Sequence, residues 1–251
     1  MSDPRVAEPV RRAVMRVRWA DVTFLHWRYE PREVQRLLPP GLEVETFGGS
    51  AWVGLVPFTM KVRAARGPAV PWASFFPETN VRTYVRGPDG RTGIWFFSLD
   101  AARLGAVLAA RARYGLPYVW ARMCVQRDGS GEGAVLRYRS ARRRPSPGRA
   151  TSVVDVSVGA PLARANVTDL EEFLTARFRL FSRVRGSVLA APAEHAPWPL
   201  HRADPRRVRD RLVEAAGLPP SAEKPQALYS PAVEVRVGRA TPLKPTRSPA
   251  G

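Results

Sequence analysis

Glu78, Asn80, Arg82 and Tyr84 occupy every second position of the segment Phe76-Pro77-Glu78-Thr79-Asn80-Val81-Arg82-Thr83-Tyr84. In an extended strand this spacing puts an acid, an amide, a guanidinium and a phenol on one face, with Val81, Thr83 and Val85 on the other. If the face meets water, the row is the wet side of a half-buried strand. If it lines a cavity, it supplies a proton donor or acceptor, a two-way hydrogen-bonding amide and a fixed cation. Such a set can hold a small organic molecule and move a proton on it.

A second group follows Thr168. Thr168 and Glu171 have the spacing of a capping box, which predicts a helix reaching about Ser182. Leu170, Phe173, Leu174, Phe178 and Phe181 then form one apolar stripe, and Arg177 lies inside it. A guanidinium drawn inward needs an acceptor, for which Glu78 and Asp100 are candidates; the alternative is that only its aliphatic stem is buried. His26, beside Trp27 in an apolar run, reads as a core histidine or as a further ligand contact. His195 and His201 flank Pro197-Trp198-Pro199 without zinc spacing, and Cys124 is the single cysteine, so neither a metal nor another cofactor is expected. No Gly-x-Ser-x-Gly, phosphate-binding loop or dinucleotide fingerprint occurs, which leaves hydrolase, kinase and dehydrogenase readings without support.

The elements that must position these groups are mostly strands. Runs rich in Val, Phe, Trp and Tyr predict strands at 22–29, 51–63, 80–86, 92–99, 118–127, 134–142, 151–158, 186–192 and 232–237. Pro88-Asp89-Gly90 and Asp128-Gly129-Ser130-Gly131 read as hairpin turns. Helices are expected from Pro31 to Leu38, from Ala101 to Arg113, after Thr168, and from Asp204-Pro205 to Gly217. Hairpin connections without regular strand-helix alternation predict a mainly β (α+β) fold, antiparallel for the most part, with a few peripheral helices.

The 251 residues are 45% hydrophobic and 25% charged, an ordinary globular composition long enough to bury a core. A single domain over 14–238 is expected, with a flexible stretch at 1–13 and a disordered proline-rich tail at 239–251. No apolar run approaches the ~20 residues that cross a bilayer, so no membrane insertion is expected and the chain reads as cytoplasmic. The net charge of +18 suggests a nucleic acid partner at first sight. However, of the 40 cationic residues only Lys61, Lys224 and Lys244 are lysines, and the 37 arginines are spread along the whole chain. The clusters at Arg142-Arg143-Arg144 and at Arg206, Arg207, Arg209 and Arg211 lack interleaved aromatics. This pattern fits a coding bias towards arginine and argues against specific nucleic acid binding.

Several ordered blocks from Trp19 to about Val237 together resemble the YqjF-like family, domain of unknown function 2071. They include Phe24-Leu25-His26-Trp27-Arg28-Tyr29, Leu38-Pro39-Pro40-Gly41-Leu42, Trp52-Val53-Gly54-Leu55-Val56-Pro57-Phe58 and Glu78 to Val85. The others are Trp95 to Asp100, Tyr114-Gly115-Leu116-Pro117-Tyr118 and His195 to His201. That family is similar to the acetoacetate decarboxylase-like superfamily, which implies a closed antiparallel β-barrel or cone around an internal cavity. The decarboxylases form a Schiff base on a lysine whose pKa is lowered by a second lysine beside it, in a Trp-Gly-Phe-Pro-Lys-Lys motif. Here the similar place reads Tyr114-Gly115-Leu116-Pro117-Tyr118-Val119, so Tyr118 and Val119 stand where the lysines would be. A phenol forms no imine, and the decarboxylase mechanism is not expected. The resemblance also carries Glu78 onto a pocket carboxylate.

Together these readings predict a cavity lined by Glu78, Asn80, Arg82, Tyr118, Arg177 and His26 that takes a small organic ligand. Glu78 and Tyr118 are the candidates for acid–base chemistry, and an arginine would hold a carboxylate or enolate. The alternative is a non-catalytic module whose pocket has filled with side chains such as Trp95, Phe96 and Phe97, and which works through a surface that includes Phe75, Phe76 and Trp198. Self-association stays open in both.

Overall fold

The computed structural model describes residues 9–64, 75–143 and 150–243. Its strands in the first half are β1 (Met15–Tyr29), β2 (Glu43–Val44), β3 (Thr46–Phe47), β4 (Ser50–Ala64), β5 (Phe75–Arg86), β6 (Thr92–Ala101) and β7 (Tyr118–Asp128). The second half supplies β8 (Val135–Arg142), β9 (Thr151–Pro161), β10 (Arg179–Val184), β11 (Ser187–His195), β12 (His201–Asp210), β13 (Gln226–Val237) and β14 (Thr241–Pro242). The helices are short: α1 (Pro31–Gln35), α2 (Leu104–Tyr114), α3 (Asp169–Thr175) and α4 (Leu212–Ala215).

All the strands join one sheet. Its pairing path runs β14-β11-β10-β6-β7-β8-β9-β12-β13-β1-β4-β5-β2, and further pairings of β5 with β6 and of β11 with β13 bring the path back on itself. Pairing is antiparallel except where β6 meets β7 and β10. The expectation of a mainly β, largely antiparallel fold therefore holds. One core cluster is built around Phe24, Phe58, Tyr84, Phe96 and Trp198, and a second around Leu25, Leu55, Leu136, Val156 and Leu212 on the other side of the sheet.

A break in β1 decides which of its residues face the first cluster. Register with β4 shifts between Ala20 and Leu25, and Asp21 takes a left-handed φ of 49°. The extra residue exchanges odd for even positions, so Met15, Val17 and Trp19 before the break and Val22 and Phe24 after it all line one cavity. Asp21 is pinned from the far side: its carboxylate accepts from Arg127 at 2.7 Å and Tyr229 at 3.0 Å, and its carbonyl accepts from Tyr138.

Several expectations need correction. The capping box at Thr168 and Glu171 is present, but α3 ends at Thr175. Arg177, Phe178 and Phe181 therefore share no helical stripe; 179–184 is β10, where Leu180 and Phe181 pair with Ile94 and Trp95 of β6. Short apolar runs suit either period, and tertiary pairing chose the strand. The helix expected from Asp204 is the strand β12. Pro205 sits next to a register shift there, and the carboxylate of Asp210 accepts from Leu212 and Val213 to start α4. Arg206, Arg207 and Arg209 thus belong to a strand. Within the stretch 1–13, Val10 is buried, its N–H donating to Glu194 and its carbonyl accepting from Arg236. In the expected tail, Thr241 and Pro242 pair with β11, while 244–251 lie outside the described residues. Arg144 also lies outside them.

Candidate functional site

β5 delivers the polar row. It is paired on both sides, with Val56 opposite Asn80 on β4 and Leu99 opposite Asn80 on β6, so its faces cannot slip. Glu78, Asn80 and Arg82 are buried, at 2%, 5% and 5% exposure, and all three line a cavity of about 80 Å³. The wet-face reading of this row is excluded. The rest of the wall is mainly apolar, with Trp19, Phe24, Phe58, Phe96 and Trp198 prominent. One water needs about 10–15 Å³, so there is room for a compact organic molecule, well below the roughly 300–1,000 Å³ of drug-sized sites.

Tyr118 enters from β7. α2 ends on Gly115 at φ 61°, a left-handed cap where a Cβ would lie 2.2 Å from the Val184 side chain, so glycine is required by both conformation and space. Three residues later the Tyr118 hydroxyl donates to Oε2 of Glu78 at 2.9 Å. Burial raises the Glu78 pKa to about 8, opposed by the Tyr118 hydrogen bond and aided by the charge of Asp100. Burial, together with the neighbouring Glu78, pushes the Tyr118 phenol well above its usual value. At neutral pH the pair is thus mostly a carboxylic acid beside a neutral phenol, with the acid poised to lose its proton near pH 8.

Arg82 closes the other end of the row, four residues or ~13 Å along the strand. Its Nη2 donates to the Leu174 carbonyl at 3.2 Å and, at 3.4 Å, to the Tyr84 hydroxyl. Its guanidinium lies 5.4 Å from the Phe24 ring centre and 5.8 Å from that of Tyr84. Among the described residues no carboxylate forms an ion pair with it, and its Nε has no hydrogen-bond partner. Nε1 of Trp19 and Oδ1 of Asn80, on the same cavity wall, are also without one.

His26 and Arg177 lie outside the cavity wall. The Tyr84 hydroxyl gives its one proton to the Leu174 carbonyl and meets Nε2 of His26 at 2.6 Å, so His26 carries its proton on Nε2 and donates it. Burial and the charges of Arg82 and Arg177 hold the His26 pKa well below its usual value. Gly54 makes room for this ring, since a Cβ there would lie 2.6 Å from Nε2. Arg177 is buried to its head: it pairs with Glu45, donates from Nε to the Phe173 carbonyl, and stacks on Tyr84 at 4.6 Å and Phe173 at 4.2 Å. Neither expected acceptor is its partner, because Glu78 bonds Tyr118 and Asp100 bonds Arg142. His26, Tyr84 and Arg177 therefore form a packed brace behind Arg82.

Sequence reading missed Glu45, Trp19 and Phe24. Nothing local marks Glu45 as the partner of a residue 132 positions away. Trp19 and Phe24 face one cavity only because of the break at Asp21. Of the side chains proposed to fill the pocket, Phe96 lines it, whereas Trp95 and Phe97 pack in other clusters. Phe75 is exposed, but Phe76 and Trp198 are buried and offer no contact surface. Lys61 is exposed next to cavity-lining Met60, so it offers the cavity no amine. No described group of three or more His, Cys, Asp or Glu side chains could hold a metal ion, and no described helix is long and apolar enough to cross a membrane.

Residues 16–234 match the DUF2071 family, described as an uncharacterized conserved protein. The chain is 35% identical over 206 residues to the uncharacterized protein YqjF of Bacillus subtilis strain 168, covering 82% of each chain. Among solved structures, it is similar to an acetoacetate decarboxylase-like enzyme from Sphingomonas wittichii RW1, at TM-score 0.64 and 15% identity over 93% of this chain and 94% of that one. It is also similar to the enduracididine biosynthesis enzyme MppR complexed with pyruvate, at TM-score 0.66 and 14% identity over 94% and 93%. These likenesses show the acetoacetate decarboxylase-like fold.

Proposed function

We propose, for a chain that belongs to the DUF2071 family, that the cavity binds a compact organic anion and that Glu78 and Tyr118 exchange a proton with it. The observation that carries this reading is Arg82: a buried guanidinium on a cavity wall with no described carboxylate paired to it. An uncompensated buried charge costs several kcal/mol, whereas a ligand carboxylate or enolate oxygen would compensate it. The unpartnered groups of Trp19 and Asn80 supply one further donor and one acceptor. In this reading the returning path of strands serves as a closed barrel or cone around the ligand.

The chemistry follows from the two ends of the row. With the anion held at Arg82, a keto acid whose chain reaches along the row from Arg82 brings the carbon beside its ketone to the Glu78 end. An ionised Glu78 takes a proton from carbon next to a carbonyl, the electrons move to the carbonyl oxygen as an enolate, and the carboxyl so formed returns the proton. Tyr118 donates to Glu78 throughout, which steadies the ionised form. Among the described residues no lysine lines the cavity, so imine chemistry has no described amine to start from. One structural neighbour, MppR, is complexed with pyruvate, which makes keto acids of graded chain length, from pyruvate upward, fitting probes here.

The test is a thermal-shift series with acetate, pyruvate, acetoacetate and benzoate, each beside its uncharged amide. Acids should raise the melting temperature and amides should not, and Arg82→Met should abolish the rise. Deuterium should pass from solvent into the carbon beside the ketone of a bound keto acid, and Glu78→Gln should stop it. A wild type indifferent to every acid would defeat the binding role. Exchange that survives Glu78→Gln would defeat the acid–base role.

A further inference from the structure

Beyond Glu78 the cavity wall changes character. Glu78 is the last of the polar row, and its register partners are Phe58 on β4 and Ala101 on β6. β4 and β1 run on past that level: Met60 pairs with Phe76 on one side and with Trp19 on the other, and Val17 and Met15 follow along β1. Met15, Val17 and Met60 all line the cavity, and so does Val237, the partner of Met15 on β13. Leu116, in the turn that leads into Tyr118, and Ala240 complete this end. Met15, Leu116 and Ala240 are half-buried, whereas Arg82 is buried, so the cavity is deepest at Arg82 and approaches the surface at Met15. Arg82 pairs with Gly54, and Met60 stands six residues further along β4, or ~20 Å measured on the strand. A volume of about 80 Å³ drawn out over such a length is a slot, with room for about five to eight waters in file.

We propose that the ligand is an acid with an unbranched apolar chain, its carboxylate at Arg82 and its chain running past Glu78 to end among Met15, Met60, Leu116 and Val237. Three observations support this. Among the described residues, no charged side chain lines the cavity beyond Glu78. Aliphatic and thioether groups offer a polar chain nothing to bond, and methionines adapt to chains of differing shape. The direction follows from charge, because a carboxylate at the Met15 end would meet apolar groups and leave Arg82 uncompensated. In a keto acid so placed, the ketone lies along the row and the apolar part of the chain continues beyond Glu78.

This proposal rests on the organic-anion reading and narrows its ligand class, and two measurements on the unaltered protein separate the two. The first is calorimetry with straight-chain carboxylates from acetate to octanoate, those from butyrate upward each beside the ω-hydroxy acid of the same length. Both members of a pair carry one charge, so only the chain end differs. Affinity should rise about two- to fourfold per added carbon, and the hydroxyl should cost octanoate about tenfold. The second is photolabelling with an octanoate that carries a diazirine at its far end, followed by peptide mapping. Label should fall on Met15–Val17, Met60, Leu116 or 237–240, and excess octanoate should prevent it. Acids that bind without a gain per carbon, or no better than their hydroxy partners, overturn the apolar chain while the anion reading stands. Label anywhere else, whether at Phe24 and Trp198 or on the exposed Leu104 and Leu108 of α2, overturns the placement. No binding of any acid overturns both.

Discussion

The two sides of the β5–β6 pair each bury a carboxylate and treat it in opposite ways. Asp100 faces the side of the second core cluster, where Arg142 grips it through Nε and Nη2 at 2.9 Å and Ser98 joins the same guanidinium at 2.8 Å. Glu78 faces the cavity and has only a phenol. Burial raises both pKa values, but on Asp100 the bonds and charge of Arg142 work against the rise, while on Glu78 a single hydrogen bond does. The cations mirror this difference. Arg142 is spent on Asp100 and Arg177 on Glu45, whereas Arg82 on the cavity wall has no carboxylate among the described residues. Charge that is paired lies within the sheet's packing, and the arginine without a described carboxylate lies on the cavity wall.

This contrast can be broken most forcefully at Arg142. Arg142→Met strands a fully buried carboxylate and should cost about 3–5 kcal/mol in denaturant unfolding, whereas Arg82→Met strands none and should cost far less. Equal losses would erase the distinction between a structural and a ligand-directed arginine.

The next largest effect is one of pH. Glu78 has a folded pKa near 8 against an ordinary 4.5, so between these values the folded chain binds the extra proton. Stability from this group is complete below about pH 4.5 and is lost as pH rises towards 8, with a slope of at most about 1.4 kcal/mol per pH unit. Glu78→Gln should remove that slope, measured as unfolding free energy from pH 5 to 9. A slope that persists in the variant would assign the proton to another group.

Tyr118→Phe should have the smallest effect, about 1 kcal/mol for the lost hydrogen bond. Because the phenol holds the Glu78 pKa down, its removal should move the midpoint of the pH dependence above 8. A downward shift would show that the bond favours the protonated acid instead.

Much of this arrangement was legible in the residues. Alternation placed Glu78, Asn80 and Arg82 on one face, because a strand's period of two is written into each residue's immediate neighbours. The capping box at Thr168 and the hairpin turns are likewise local. The Gly-Leu-Pro-Tyr match led to Tyr118, and the absence of its lysines to the loss of the imine step. The segments after Thr175 and after His201 were misread, because short runs of apolar and charged residues fit both periods until a neighbouring strand selects one.

What the sequence determined by itself, then, is the set of chemical groups and the faces they share along each strand. Tertiary structure alone decided that the row is buried, that Arg177 finds Glu45, and that Arg82 finds no described acid. The physical reason is that burial and charge compensation depend on which distant segments meet. Side-chain direction depends on two or three residues, but whether a charge is balanced is settled across a whole core, between residues as far apart as 45 and 177.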